Sequence, residues 1–272
     1  LIAAPASAAT LVLEGHATQG GALFGTVAPG SQVSLDGQRV EVAADGHFVI
    51  GFGRDAKPEA TLSVRSPDGQ LETRTLAISQ RQYQIQRIDN LPKDMVSPPP
   101  SIFARVESEQ ALVEKARRTD IHDPLFESGF VWPAQGIITG IYGSQRILDG
   151  EPRAPHMGVD IAGPVGTPIA APADGVVTLI EPDFYLTGGT LIIDHGLGLS
   201  SVFIHLSKIE TKLGAHVKKG ETVALMGASG RATGPNLHWG VNWYRVRLDP
   251  ELLVPPMPGQ AGAPTPKPGA GD

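Results

Sequence analysis

Residues 31–52 read SQVSLDGQRVEVAADGHFVIGF, and whether this stretch is strand or helix decides the architecture. Apolar and polar residues alternate along it, which is the period-two pattern of a half-buried strand. Asp36-Gly37 and Asp45-Gly46 interrupt the alternation, and Asp-Gly between such runs is the strongest short-range hairpin signal. The stretch is β. Residues 60–78, ATLSVRSPDGQLETRTLAI, repeat the pattern around Asp68-Gly69. Strands at this spacing predict a small Ig-like β-sandwich over residues 10–92. His16 and His47 stand alone in it and are assigned no chemistry.

Composition agrees. The 272 residues include 33 Gly and 24 Pro with no collagen-like period, which favours short strands and tight turns. An apolar fraction of 41% supports buried cores, and no run approaches the ~20 apolar residues of a membrane span. A net charge of −6 leaves no electrostatic footprint for nucleic acid. Cysteine is absent, so disulfides and thiolate metal ligands are excluded. The opening LIAAPASAAT carries an Ala-Ser-Ala pattern of the kind that precedes a signal-peptidase cut. Residues 1–9 are therefore read as a signal-peptide remnant and the chain as exported, to the periplasm or outside the cell.

Residues 93–129 are expected to connect two domains. Pro98, Pro99 and Pro100 make an extended, stiff piece, and residues 101–118, SIFARVESEQALVEKARR, form the one clear helical candidate. Ser101 is its expected cap, Phe103, Val106 and Val113 its apolar face, and Glu114 and Arg118 an i,i+4 pair. Its expected role is a strut, with His122 in the following loop a solvated bystander. From residue 130 to 254 the chain turns β again, with Gly and Pro at nearly every junction. An antiparallel β barrel-sandwich is expected there, so the whole is all-β with one linking helix. Residues 255–272 form a Pro/Gly-rich tail expected to be disordered.

The ligand-type residues of this second domain are unevenly placed. HMGVD supplies His156 and Asp160, and NLHWG supplies His238. Two imidazoles and a carboxylate are a typical catalytic zinc set that leaves a fourth position for water. His-x-x-x-Asp alone is a weak signal. Gly158 within it argues against a helix, placing the pair on a strand edge or loop. In TGPNLHWGV, residues 233–241, strand alternation puts Asn236 and His238 on one face. In SVFIHLS it puts His205 on one face with Phe203, as a core histidine bonded to a carbonyl or as a catalytic partner. His195 is assigned to a turn, and His216 to an exposed hairpin.

Residues 136–241 resemble the lysostaphin/LytM-type zinc metallopeptidases, which cleave peptide cross-links of bacterial peptidoglycan. The likeness rests on several ordered motifs, HMGVDIAGPVGTPIAAPADGVV, LIIDHGLGLSSVFIHLS and VKKGETVALMGASGRATGPNLHWGV. It implies Zn2+ bound by His156, Asp160 and His238, with His205 serving catalysis. The family's last motif usually reads His-Leu-His, whereas this chain has Asn236-Leu237-His238. The imidazole lost is not a ligand, so the departure bears on rate more than on metal binding. An amide donates a hydrogen bond but takes no proton, which leaves Asn236 an orienting role. The alternative is a weakened relative that binds cell wall or activates other cell-wall hydrolases. Arg146 and Arg153 before the first motif and Arg231 within the last belong either to solvated loops or to a rim that suits carboxylates of peptide stems.

Overall fold

The structure is a computed structural model, and the residues it describes are 11–88, 100–118, 121–148 and 150–259. The expected signal-peptide remnant (residues 1–9), Pro98, Pro99 and residues 260–272 of the expected tail lie outside them.

Seven strands come first: β1 (Val12–Gly15), β2 (Ala22–Thr26), β3 (Gln32–Leu35), β4 (Gln38–Val40), β5 (His47–Gly51), β6 (Glu59–Arg65) and β7 (Leu71–Ala77). They form two sheets, ordered β1-β2-β5 and β4-β3-β6-β7, with Phe48, Ile50, Leu62 and Val33 in the core they share. This is the expected sandwich. Asp36 and Gly37 both have positive φ, 48° and 77°, as the two-residue turn between β3 and β4 requires. Gly25 is needed for another reason: a Cβ there would lie 2.1 Å from the tip of the Phe48 ring.

Alternation along β5 sends Phe48 and Ile50 into the sandwich, while Val49 joins the core of the second body and is equally buried. The two bodies therefore share apolar surface, with Trp243 packed against both cores. Polar contacts add to this. Arg81 pairs with buried Asp249 at 2.7 Å, and Arg54 Nε donates to the Gly143 carbonyl at 2.8 Å. His47, expected to stand alone, lies 2.6 Å from Glu127, and the expected bystander His122 lies 3.3 Å from Glu41. Both histidines thus tie the sandwich to residues 121–128, contacts between distant segments that no local pattern encodes.

After β8 (Ile85–Ile88) comes the helix α1 (Phe103–Ala116). It is docked rather than a free strut: Val113 and Ala116 pack against Leu179, Phe184, Ile192 and Val202. Phe103, expected on the apolar face, is 54% exposed, because the helix packs through Ala116 and the half-buried Val113 instead. Ser101 falls in a short 3-10 turn and the N-cap is Ile102, which makes no side-chain cap. The Glu114–Arg118 pair is present at 3.8 Å.

The remaining strands are β9 (Ile137–Gly140), β10 (Gln145–Leu148), β11 (Glu151–Pro152), β12 (Val159–Ala162), β13 (Pro168–Ala170), β14 (Gly175–Phe184), β15 (Gly188–Asp194), β16 (Leu199–Ile209), β17 (His216–Val217), β18 (Thr222–Met226), β19 (Asn236–Trp243) and β20 (Val246–Leu248). Most join one ten-stranded antiparallel sheet with the path β17-β14-β15-β16-β19-β12-β9. Its core face carries Val159, Ile161, Phe203, Leu237, Trp239 and Val241, all fully buried. β10 stands apart, paired with β11 and, in parallel, with β8. The segment leaving the sandwich therefore braces the loop that leads to His156.

Candidate metal centre

β12 and β19 run antiparallel with Asp160 directly opposite His238. Cross-strand partners share a face at about 5 Å, so register alone brings carboxylate and imidazole together. His156 comes from the preceding loop, which folds back on its own chain. Gly143 N donates to the His156 carbonyl at 2.7 Å, and His156 N donates to Ser144 O at 2.8 Å. The ring is oriented by a bond from Nδ1 to the Ile141 carbonyl at 3.0 Å. A carbonyl only accepts, so Nδ1 carries the proton and Nε2 presents its lone pair.

Three donor atoms then meet. His156 Nε2 lies 3.1 Å and His238 Nδ1 2.8 Å from Asp160 Oδ1, and the two nitrogens are 2.9 Å apart. Lone pairs and a carboxylate at these separations repel unless a proton or a cation sits among them. Tetrahedral bonds of ~2.0–2.1 Å would hold donors roughly 3.3 Å apart, so a few tenths of an ångström of relaxation admits an ion. Burial pushes the Asp160 pKa up, but bonds to His156 and His238 outweigh it and hold the carboxyl below its usual range. Burial lowers His238. An anionic carboxylate and a neutral imidazole are the forms that bind metal.

Two glycines make room. A Cβ at Gly140 would lie 2.4 Å from Asp160 Oδ2, and one at Gly158 2.7 Å from His238 Nε2. Gly140 interrupts a strand pattern, a sequence signal for close approach. The supporting carbonyl of Ile141 had none, because every residue has one.

His205 departs from the expected alternation. Its φ is +66°, and the pairing register of β16 shifts on either side of it, so it does not continue the Phe203 face. Nδ1 bonds the Ser229 carbonyl at 2.8 Å, which leaves Nε2 as the accepting nitrogen. It lies within electrostatic reach of His238. Asn236 shares the His238 face of β19, and its Oδ1 is buried without a hydrogen bond.

The other candidates lie elsewhere. His195 is fully buried, bonded to the Asp174 carbonyl and to Ser201 Oγ at 2.8 Å each; its residue ends a strand but its ring is a core element. His216 and Arg231 are exposed. Arg153 is half-buried, and the Arg146 side chain lies outside the described residues. Asp45, His47 and Glu127 also converge, but the acids sit on different nitrogens of one ring, which is ion-pair geometry.

A model of peptidase family M23 matches residues 154–250. The crystal structure of a candidate M23 peptidase from Pseudomonas aeruginosa is similar over 87% of this chain and 93% of that one, at 30% identity and a TM-score of 0.62. Peptidoglycan DD-endopeptidase ShyA of Vibrio cholerae is 43% identical over 86 residues, 32% of this chain and 20% of that protein. DD-carboxypeptidase/endopeptidase Mpg of Neisseria meningitidis is 36% identical over 104 residues, 38% of this chain and 24% of that protein. The matched part of the chain thus spans about a fifth to a quarter of these curated relatives.

Proposed function

The chain belongs to peptidase family M23, and from that premise we propose that it is a zinc endopeptidase of the cell envelope hydrolysing peptide cross-links of peptidoglycan. The observation that carries this reading is the convergence of His156, Asp160 and His238 donor atoms within hydrogen-bonding distance of one another. In this reading residues 10–92 would be the sandwich domain, 93–129 the connection and 130–254 the peptidase domain. Among the described residues no helix is long and apolar enough to cross a membrane.

His156, Asp160 and His238 would hold the ion, a nitrogen and oxygen set that suits zinc. Zinc supplies Lewis acidity, making water more acidic and a carbonyl more electrophilic. The Ile141 carbonyl fixes the His156 tautomer that presents Nε2. His205, with Nδ1 committed to Ser229, accepts a proton at Nε2. Asn236 donates through Nδ2 and orients an oxygen without taking a proton. One observation favours a second reading, an activator of other cell-wall hydrolases: an amide stands where the family usually has an imidazole.

The test incubates purified chain with zinc and cross-linked peptidoglycan, alongside His156→Ala and Asn236→His. Near one zinc per chain and new peptide termini are expected from wild type, with both lost in His156→Ala. Zinc binding without cleavage by wild type, restored in Asn236→His, would support the activator reading instead. A wild-type chain that binds no zinc would sink the peptidase reading.

A further inference from the structure

Away from the metal centre, the half-buried Arg117 and Arg247 make no ion pair among the described residues. Register sets Ser200 opposite Asn242 on β16 and β19, and Asn242 opposite Arg247 on β19 and β20. These three side chains therefore stand side by side on one face. The same face carries α1, since Val202, two residues beyond Ser200, shares a core cluster with Ala116. Arg117 directly follows Ala116 at the end of the helix, and the Arg247 charge acts on it.

The hydrogen bonding here is incomplete. Arg247 Nη1 donates to Asn242 Oδ1 at 2.6 Å. Among the described residues neither guanidinium has an ion pair, and that of Arg117 has no hydrogen bond. The acid that acts on Arg117 is Glu114, which is already held by Arg245 at 2.6 Å. Arg117 Nε, Asn242 Nδ2 and Ser200 Oγ are buried without partners, and Asn242 and Ser200 are 0% and 2% exposed. Each orphan has a hydrogen to give. Burial and the neighbouring Arg247 push the Arg117 pKa down to about 9, yet a guanidinium stays charged at neutral pH. Two like charges and unmet donors call for an anion.

We propose that Arg117, Arg247, Asn242 and Ser200 form a site for a small oxyanion, of carboxylate or phosphate type, between the end of α1 and the β19–β20 hairpin. Guanidinium forks match the paired oxygens of such anions, and the Asn242 amide and Ser200 hydroxyl donate beneath them. Entry requires Arg117 to swing outward, which its position just past the last helical residue permits. Bound anion neutralises the pair and fastens the helix to the sheet. The site is independent of the peptidase reading and stands or falls without it.

The experiment takes the full chain in chloride buffer and titrates it with inorganic phosphate or with succinate at constant ionic strength. Thermal unfolding is followed, with calorimetry for direct binding. A saturable Tm rise of about 3 °C at ten times Kd is expected in at least one arm, and the responding arm identifies the source class. Arg117→Met is expected to lose that rise while melting at or above wild type in chloride alone, since it removes an unpaired charge. The proposal is overturned if neither anion gives a saturable response. It is equally overturned if the response persists in both Arg117→Met and Arg247→Met.

Discussion

At position 236 an amide and an imidazole differ by one capacity, that of taking a proton near neutral pH. Asn236 retains the strand position and the face of His238, so exchanging it for histidine leaves the backbone unchanged. General-base assistance contributes typically ~10²–10⁴-fold, and in the proposed mechanism His205 supplies part of it. Asn236→His is therefore expected to raise kcat at least about tenfold, and His205→Ala to lower it about 10²-fold or more. Zinc content should stay unchanged in both, measured on the samples assayed for released termini. An Asn236→His variant no faster than wild type would remove Asn236 from the chemistry. At this scale the ligand types were legible, because only a few side chains bind metal. The carbonyls of Ile141 and Ser229, which set two tautomers, were not.

Between elements, small differences in backbone approach govern the centre. At Gly140 a methyl group would meet the Asp160 carboxylate at 2.4 Å and His156 Cε1 at 3.0 Å. Gly140→Ala is expected to lower zinc affinity about 10–100-fold, the effect of displacing a ligand's support, with little change in circular dichroism. Competition with a chromogenic chelator measures it; unchanged affinity would mean β9 yields freely. His195 shows the opposite use of a histidine. Burial lowers its pKa to about 4, against 6.5 in the unfolded chain. Its stabilising contribution is complete above pH 6.5 and is lost as pH falls toward 4, on the order of 3 kcal/mol in all. Replacing it with glutamine should flatten that acid limb in urea unfolding while lowering stability at pH 7. Equal slopes for the two proteins would refute the assignment. The helix was legible as a helix, yet its docked face was misjudged by one position. Its periodicity is weak, and only the sheet beneath selects Val113 and Ala116 over Phe103.

Across the whole molecule, the sandwich and the large sheet are joined by shared apolar surface and by a buried ion pair. Asp249 is 3% exposed and Arg81 is its cationic partner. Arg81→Met would leave that carboxylate uncompensated, a loss expected to be about 3–5 kcal/mol in urea unfolding. Adding Asp249→Asn should recover most of it, because the amide needs no counter-charge and can still cap Glu251 N. If the single substitution costs under about 1 kcal/mol, the pair is solvated and does not hold the bodies together. A single cooperative transition is expected, since Val49 and Trp243 belong to the packing of both.

The order of residues by itself determined the β class, the Asp-Gly hairpins and the His-Asp-His donor set, because alternation, turn chemistry and ligand chemistry are local properties of side chains. Only the tertiary structure decided the rest: Asp160 facing His238, the bulge at His205, the histidine ties between the bodies and the neighbouring Arg117 and Arg247. The physical reason is that strand register and inter-body packing are fixed by contacts between segments far apart in the chain. No window of neighbouring letters contains both partners.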